Sequence, residues 1–286
     1  MHDYLIAVIV GIIEGLTEFL PVSSTAHIRI TQALLSVDLD SGYWKMFAVA
    51  IQLPAIMAVV IYFRKKLAEF VRSWFSGKLT LQKFYAHPLA LVGMATVVTA
   101  IPAMLLSKLI KDNLESLEVM AWALIIGGVV MWVVDRIYGA RGSVTSIEQM
   151  KPWQAVWTGA CQILSAVFPG TSRSMSTIAA GQIAGLSRTA ALEFSFFVSI
   201  PLMFAACFFD LIKSIRAGPE DVGTYIEGGM TAERWITLLI GSVVSFIVAY
   251  VVIAWFMSWV KRRGFVPFAI YRLALGVGVL IWAIRT

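Results

Sequence analysis

Six long apolar segments constrain the fold of this chain more than any other feature of its sequence. A transmembrane helix needs about 20 mostly apolar residues, and such segments lie at roughly 43–63, 87–107, 117–137, 188–213, 234–260 and 266–285. Only 14% of the 286 residues are charged, against about 25% in an ordinary soluble domain. The sequence therefore predicts an all-α polytopic membrane protein with six transmembrane helices, and it excludes a soluble enzyme, a nucleic-acid binder and a disordered chain.

Two further apolar stretches are too interrupted to be ordinary spans. Residues 4–20 and 152–168 both contain polar side chains, and each stretch ends at a proline followed by a cluster of hydroxyl residues. This pattern is typical of a re-entrant, broken helix pair, which membranes tolerate only where protein or a cavity satisfies the exposed backbone. We therefore predict two re-entrant broken helix pairs beside the six spans.

The two interrupted stretches also resemble each other. Residues 11–25 align with residues 159–173, with Gly, Pro and hydroxyl residues at matching positions. Each half then holds one broken pair and three spans, and an odd number of spans places the halves in opposite orientation. We predict a single membrane domain over 1–286, built as an inverted-topology repeat with halves at about 1–137 and 150–286. In such folds the ligand site lies where the two discontinuous elements meet.

Lys and Arg concentrate in three of the connections between the spans. The connections at 64–86, 136–151 and 261–263 are rich in them, whereas those at 108–116 and 213–234 are poorer or offset by acids. By the positive-inside rule the rich connections are cytoplasmic, so both termini are expected outside. Because these residues set topology, the net charge of +6 does not by itself indicate an anionic partner.

The first broken pair carries two carboxylates where charge is costly. Glu14 and Glu18 are four residues apart and share one helix face, and acids inside an apolar helix are functional candidates by default. Ser23, Ser24 and His27 follow, and His27 is a candidate general base or nucleophile. The alternatives are that the glutamates merely lie at a wet interface and that His27 is an ordinary buried polar residue.

The second broken pair carries the features of an anion site. Its loop and following helix contain Gly170, Thr171, Ser172, Arg173, Ser174 and Thr177. A helix N-terminus favours an anion through its free N–H groups and dipole, and an arginine presents a planar fork to phosphate oxygens. Arg173 could instead pair internally with one of the glutamates. Two acids facing a phosphate usually imply a divalent cation, so we expect Mg²⁺ or Ca²⁺ held through Glu18 and Glu14.

These two clusters are similar to the signatures of a known family. The run EGLTEFLPVSSTAH from Glu14 to His27 and the run PGTSRS at 169–174 resemble the two motifs of the bacterial undecaprenyl pyrophosphate phosphatases of the bacitracin-resistance type, and residues 265–272 match a further family segment. The resemblance implies hydrolysis of this isoprenoid pyrophosphate to undecaprenyl phosphate and inorganic phosphate. It places the reaction on the outer, periplasmic face of the bacterial inner membrane, where it recycles the lipid carrier of cell-wall synthesis.

The resemblance also implies a role for each candidate residue. The expected catalytic residues are Glu18, Ser24, His27 and Arg173. The expected substrate-binding residues are Glu14, Ser23, Gly170, Thr171, Ser172, Ser174 and Thr177. The nucleophile stays open between Ser24 activated by His27, His27 itself and water. Met175 stands where the family usually has Gly, and we expect it to tighten the phosphate-binding loop because Met adopts positive φ less readily than Gly.

Two alternative functions compete with this hypothesis. A secondary transporter or lipid flippase shares the inverted-repeat architecture. A second class of membrane phosphatase uses an arginine with paired histidines, but position 179 is Ala and the histidines are His2, His27 and His87 alone, so that interpretation fails. The expected partners are a polyprenyl pyrophosphate lipid and membrane lipids, not nucleic acid, and a homodimer is an assembly that the sequence allows.

Overall fold

The computed structural model describes residues 2–76, 80–114, 116–218, 220–221 and 224–285. These residues form fourteen α helices and one short 3-10 helix, with no β structure among them beyond an isolated bridge between Val144 and Leu186. The helices are α1 (His2–Thr17), α2 (Ser24–Leu34), α3 (Gly42–Ala50), α4 (Gln52–Tyr62), α5 (Arg64–Trp74), α6 (Leu81–Tyr85), α7 (Pro88–Leu105), α8 (Ser107–Leu114), α9 (Leu117–Tyr138), α10 (Pro152–Val167), α11 (Arg173–Ile183), α12 (Arg188–Arg216), α13 (Ala232–Arg263) and α14 (Val266–Arg285).

Six helical segments are long and apolar enough to cross a membrane. They are Gly42–Tyr62, which joins α3 and α4, together with α7, α9, α12, α13 and α14. Large apolar side chains stay exposed along them, among them Leu239, Val251 and Ile281, as expected of a surface that faces lipid rather than water. The prediction of an all-α chain with six membrane-spanning helices is confirmed for the described residues.

Helix–loop–helix elements occur at both positions predicted for the broken pairs. The first consists of α1 and α2, and the second of α10 and α11. With 16 residues each, α1 and α10 are about 24 Å long, less than the hydrocarbon core of about 30 Å. Their re-entrant placement and the inverted relation between the halves stay predictions.

The chain divides into two compact units. The first comprises Met1–Phe19, Ser24–Tyr62 and Ser199–Ala254, and the second comprises Leu20–Ser23, Phe63–Val198 and Trp255–Thr286. Each unit therefore draws segments from both predicted halves of the repeat. The single domain over 1–286 and the boundaries of its halves stay predictions.

In the first unit, glycines allow α1 to lie directly against α13. A Cβ added at Gly11 would lie 2.7 Å from the carbonyl oxygen of Gly241, and one added at Gly15 would lie 2.7 Å from that of Ser245. Small residues permit such close backbone approach between membrane helices. Glu14 lies between the two glycines in sequence and is fully buried, so close packing rather than solvent surrounds this carboxylate.

In the second unit, Asp135 near the end of α9 binds several elements together. Its carboxylate accepts from Arg188 Nε at 2.7 Å, from Gln182 Nε2 at 3.0 Å and from the amide of Phe265 at 3.0 Å. A buried charge is tolerated only when it is paired and hydrogen-bonded in this way. Asp135 thus fixes the last turn of α11, the start of α12 and the turn before α14.

Candidate functional site

The first unit brings the carboxylate of Glu18 to the hydroxyl of Ser24. Glu18 is 8% exposed, and its amide donates to the Glu14 carbonyl at 3.0 Å, so helical bonding continues just beyond α1. Ser24, the first residue of α2, donates its hydroxyl to Glu18 Oε2 at 2.5 Å. A hydroxyl bonded to a carboxylate has the arrangement of a nucleophile and its base. From the sequence we expected His27 to activate Ser24, and the position of Glu18 was not predicted.

The other two predicted residues of the first unit are also buried. Glu14 is 0% exposed and His27 is 9% exposed. His27 follows Ser24 by three residues on α2, a spacing that places both side chains on one side of the helix. The first unit therefore holds four of the predicted residues, Glu14, Glu18, Ser24 and His27.

Ser23 belongs to the second unit and has an uncommon backbone conformation. It is buried and has φ of +74°, and Ser172 has φ of +71°. Each serine directly precedes the second helix of its pair. Positive φ is uncommon for a residue with a side chain and is found where the surrounding structure imposes it. Both helix-loop-helix elements thus enter their second helix through a constrained serine.

The loop between α10 and α11 (residues 168–172, hereafter the phosphate loop) is compact, and all of its residues except Phe168 are buried. Gly170 has φ of +98°, and a Cβ there would lie 2.5 Å from the carbonyl oxygen of Met120, so only glycine fits. Ser172 caps α11 by accepting from the amide of Met175 at 3.3 Å. Ser174 donates to the carbonyl of Leu20 at 2.9 Å, which joins this element to the loop of the first signature.

Two further residues of the second signature are anchored on α12. Arg173 Nη1 donates to the carbonyl of Ser195 at 3.0 Å, and the hydroxyl of Thr177 donates to Ser195 Oγ at 2.7 Å. Thr177 is fully buried, whereas Arg173 is half-buried. Ser195 thus orients both side chains. The second unit brings together all the predicted residues from Gly170 to Thr177.

Arg272 on α14 holds the loops of both signatures, a role that the sequence did not predict. It is fully buried. Its Nη1 donates to the Pro21 carbonyl at 3.2 Å, and its Nη2 donates at 3.0 Å to the carbonyls of Ala123 and Gly170. The sequence feature that could have indicated this role is a lone arginine inside an apolar span. A charge there is costly, so such residues are candidates for a structural or functional role.

The prediction that Met175 tightens the phosphate loop by resisting positive φ is wrong. Position 175 lies in the first turn of α11 and has no positive φ; the positive values fall at Gly170 and Ser172. Methionine therefore causes no backbone strain there. Its side chain instead packs beside α9, where a Cβ added at Gly127 would lie 2.8 Å from the Met175 Cε.

The acidic pair suits one kind of metal site better than another. No group of three or more His, Cys, Asp or Glu side chains within the described ranges is arranged to hold a metal ion. Ca²⁺ cages use six to eight oxygen ligands, whereas Mg²⁺ is commonly bound by one or two carboxylates together with water and substrate phosphates. Two buried glutamates fit the second arrangement, and the cation stays a prediction.

Comparisons with known proteins agree over nearly the whole chain. Residues 7–278 match the family model described as bacitracin resistance protein BacA. The chain is 54% identical to an undecaprenyl-diphosphatase of Koribacter versatilis, with both chains covered in full. It is 37% identical to one from Caldanaerobacter subterraneus and 38% identical to one from Rhizobium etli, with at least 94% of each chain covered. The chain therefore belongs to the family of bacitracin resistance protein BacA.

Proposed function

We propose that the chain is an undecaprenyl-diphosphatase, which hydrolyses undecaprenyl diphosphate to undecaprenyl phosphate and inorganic phosphate. The observation that carries this conclusion is the phosphate loop, where Gly170 permits a tight turn and Arg173 opens α11. The positive end of the helix dipole favours an anion at this terminus. The relatives of the same length have this activity in their names.

The phosphate loop binds the diphosphate on this proposal. Arg173 offers planar donors to phosphate oxygens, and the Ser195 carbonyl holds one edge of its guanidinium in place. Phosphoryl transfer depends chiefly on positioning and on stabilising the charge of the phosphoryl oxygens. An arginine fixed in this way supplies both.

Glu18 and Ser24 supply the attack on the terminal phosphorus. As the Ser24 oxygen forms its bond to phosphorus, the hydroxyl proton passes to Glu18, to which it is already bonded. The bond between the terminal phosphorus and the bridging oxygen breaks, and undecaprenyl phosphate leaves. Water then hydrolyses the phosphoserine and releases inorganic phosphate. Direct attack by water or by His27 is the competing route.

A divalent cation fits beside these residues. Mg²⁺ or Ca²⁺ held through Glu18 and Glu14 would neutralise charge on the diphosphate oxygens. The chain itself contributes two buried carboxylates, and one or two carboxylates together with water and substrate phosphates are the usual ligands of Mg²⁺.

The membrane setting follows from the family and from charge placement. The relatives are bacterial and six helices can span a bilayer, so the protein is a multi-pass membrane protein. Its location in the inner membrane, with the reaction on the periplasmic face, is part of the proposal. The lysine- and arginine-rich connections support the proposed orientation of the spans, with both termini outside, through the positive-inside rule. The lipid diphosphate is the proposed partner, and a homodimer is the proposed assembly.

Phosphate release from undecaprenyl diphosphate by purified protein in detergent micelles tests the assignment. Arg173→Ala is expected to lower kcat about 100-fold or more, since one stabilising donor is commonly worth that much. Glu18→Gln is expected to lower kcat by a similar factor, since a positioned general base contributes about 100- to 10,000-fold. Exposed residues provide matched controls, Arg216→Ala and Glu233→Gln. Unchanged turnover by correctly folded Arg173→Ala protein would overturn the proposal.

Two further readouts separate the competing interpretations. A flippase would move lipid across vesicle membranes without phosphate release, whereas the proposed enzyme releases phosphate in micelles. Rapid acid quenching of a single turnover should trap phosphate on Ser24. A trapped phosphohistidine at His27, or no covalent intermediate, would reject Ser24 as the nucleophile.

A further inference from the structure

An apolar groove runs along three helices of the second unit. Side chains of α9, α10 and α11 line it, and its volume is about 600 Å³, within the range of about 300–1,000 Å³ that is usual for ligand pockets. Its walls include Trp122 and Ile126 of α9, Leu164 of α10 and Ile183 of α11, all exposed to the surroundings. The groove is therefore open sideways and suited to an apolar ligand.

The groove begins at the phosphate loop. Thr171 of that loop lines it, together with Met175 and Ser176 from the start of α11. The loop connects the end of α10 to the start of α11 and contacts the first turns of α9, where Met120 lies against Gly170. All three helices thus lead away from the anion site, and the groove between them extends from that site.

Ser176 introduces an unsatisfied hydroxyl into this apolar wall. Its side chain is 6% exposed, and its oxygen has no hydrogen-bond partner in the part of the chain that the structure describes. Its neighbours Ser174 and Thr177 are both hydrogen-bonded. A buried hydroxyl without a partner is destabilising and calls for an explanation. A ligand oxygen at the mouth of the groove would satisfy it.

We propose that this groove receives the part of the substrate's prenyl chain nearest the diphosphate, and that Ser176 donates a hydrogen bond to the oxygen joining chain and diphosphate. The inference rests on the proposed function, since it identifies where that substrate's tail lies. The lining residues of α9 extend from Glu118 to Val130, a distance of about 18 Å along the helix. The remainder of the long chain stays in the bilayer.

Protection of a thiol provides a direct test. Cys161 lines the groove and is partly exposed, whereas Cys207 is buried in the first unit. In a Cys207→Ser protein in detergent, maleimide should alkylate Cys161 about tenfold more slowly when the methylene analogue of undecaprenyl diphosphate is present at ten times its Kd. Methylene diphosphonate without a prenyl chain should give no protection. Absence of protection by the prenyl analogue, or equal protection by dioleoyl phosphatidylglycerol, would overturn the proposal.

Blocking the groove tests the same inference through kinetics. Ile126→Trp should raise KM for undecaprenyl diphosphate about tenfold with little change in kcat, and should leave KM for a diphosphate bearing one prenyl unit unchanged. Val133→Trp is the matched control, because Val133 lies seven residues further on the same face of α9, is similarly exposed and does not line the groove. Equal effects of the two substitutions, or none for Ile126→Trp, would contradict the assignment.

Ser176→Ala isolates the proposed hydrogen bond. Both long and short prenyl diphosphates carry the junction oxygen, so KM should rise about 2- to 10-fold for both. An unchanged KM for both substrates would remove Ser176 from the proposal. Wild-type protein that releases no phosphate would reject the proposed function itself, whereas active wild-type protein with an ineffective Ile126→Trp would reject only the groove.

Discussion

Replacement of Arg272 should lower the activity of this protein much more than its stability. Arg272→Met keeps an unbranched side chain but removes every donor of the guanidinium. Three carbonyls, those of Pro21, Ala123 and Gly170, then lose the bond from this side chain. The two loops that these bonds hold carry the first and second signatures.

The expected loss of stability is modest because two large terms oppose each other. Hydrogen bonds to a charged group contribute about 1.5–3 kcal/mol each, so three of them amount to about 4.5–9 kcal/mol. Burial of the guanidinium costs several kcal/mol, which the substitution recovers. We therefore expect the free energy of unfolding to fall by about 2 kcal/mol. Displacement of a binding loop by about 1 Å, in contrast, can lower kcat about 100-fold.

The assay combines phosphate release with thermal unfolding in the same detergent. Arg285→Met is the matched control, since Arg285 is an exposed arginine at the end of the same helix. Gly127→Ala provides an independent perturbation, because its added Cβ would collide with the Arg272 guanidinium. Folded Arg272→Met protein with turnover equal to that of Arg285→Met would refute the positioning role.

Three further predictions concern pH, packing and metal. The imidazole of His87 caps α7 by accepting from the amide of Leu89 at 3.2 Å, and burial lowers the pKa of His87. Its contribution to stability is thus complete above the ordinary value of about 6.5 and is lost as pH falls toward the lower pKa of the folded state. The Tm of wild type should therefore fall more steeply below about pH 6.5 than that of His87→Asn, which keeps a capping acceptor; parallel profiles would contradict this. Gly15→Ala should destabilise the protein by about 1–3 kcal/mol because its Cβ would lie 2.7 Å from the Ser245 carbonyl oxygen, whereas Gly93→Ala, with open space around it, should not lower Tm. A chelator should abolish phosphate release, and added Mg²⁺ should restore it with little change in the substrate-free Tm; full activity in chelator would exclude the cation.

The elements themselves were predictable because each depends on local sequence. Hydropathy located the six spans, and prolines followed by hydroxyl residues located both loops between short helices. Backbone conformation was less predictable: positive φ was expected to matter at Met175 but occurs at Gly170 and Ser172. The sign of φ at each of these residues depends on where α11 begins. A shift of that start by one or two residues would change a helical backbone conformation into a loop conformation.

By itself, the sequence determined the class of fold and the chemistry available to it, because apolar length and side-chain type require no knowledge of distant contacts. Only the tertiary structure decided which groups meet. It placed the Ser24 hydroxyl on Glu18, and it brought Arg272 to the carbonyl of Gly170, a residue 102 positions away in the chain. The first pairing depends on how the chain turns between α1 and α2, and the second depends on the close packing of helices far apart in sequence. Periodicity and composition encode neither.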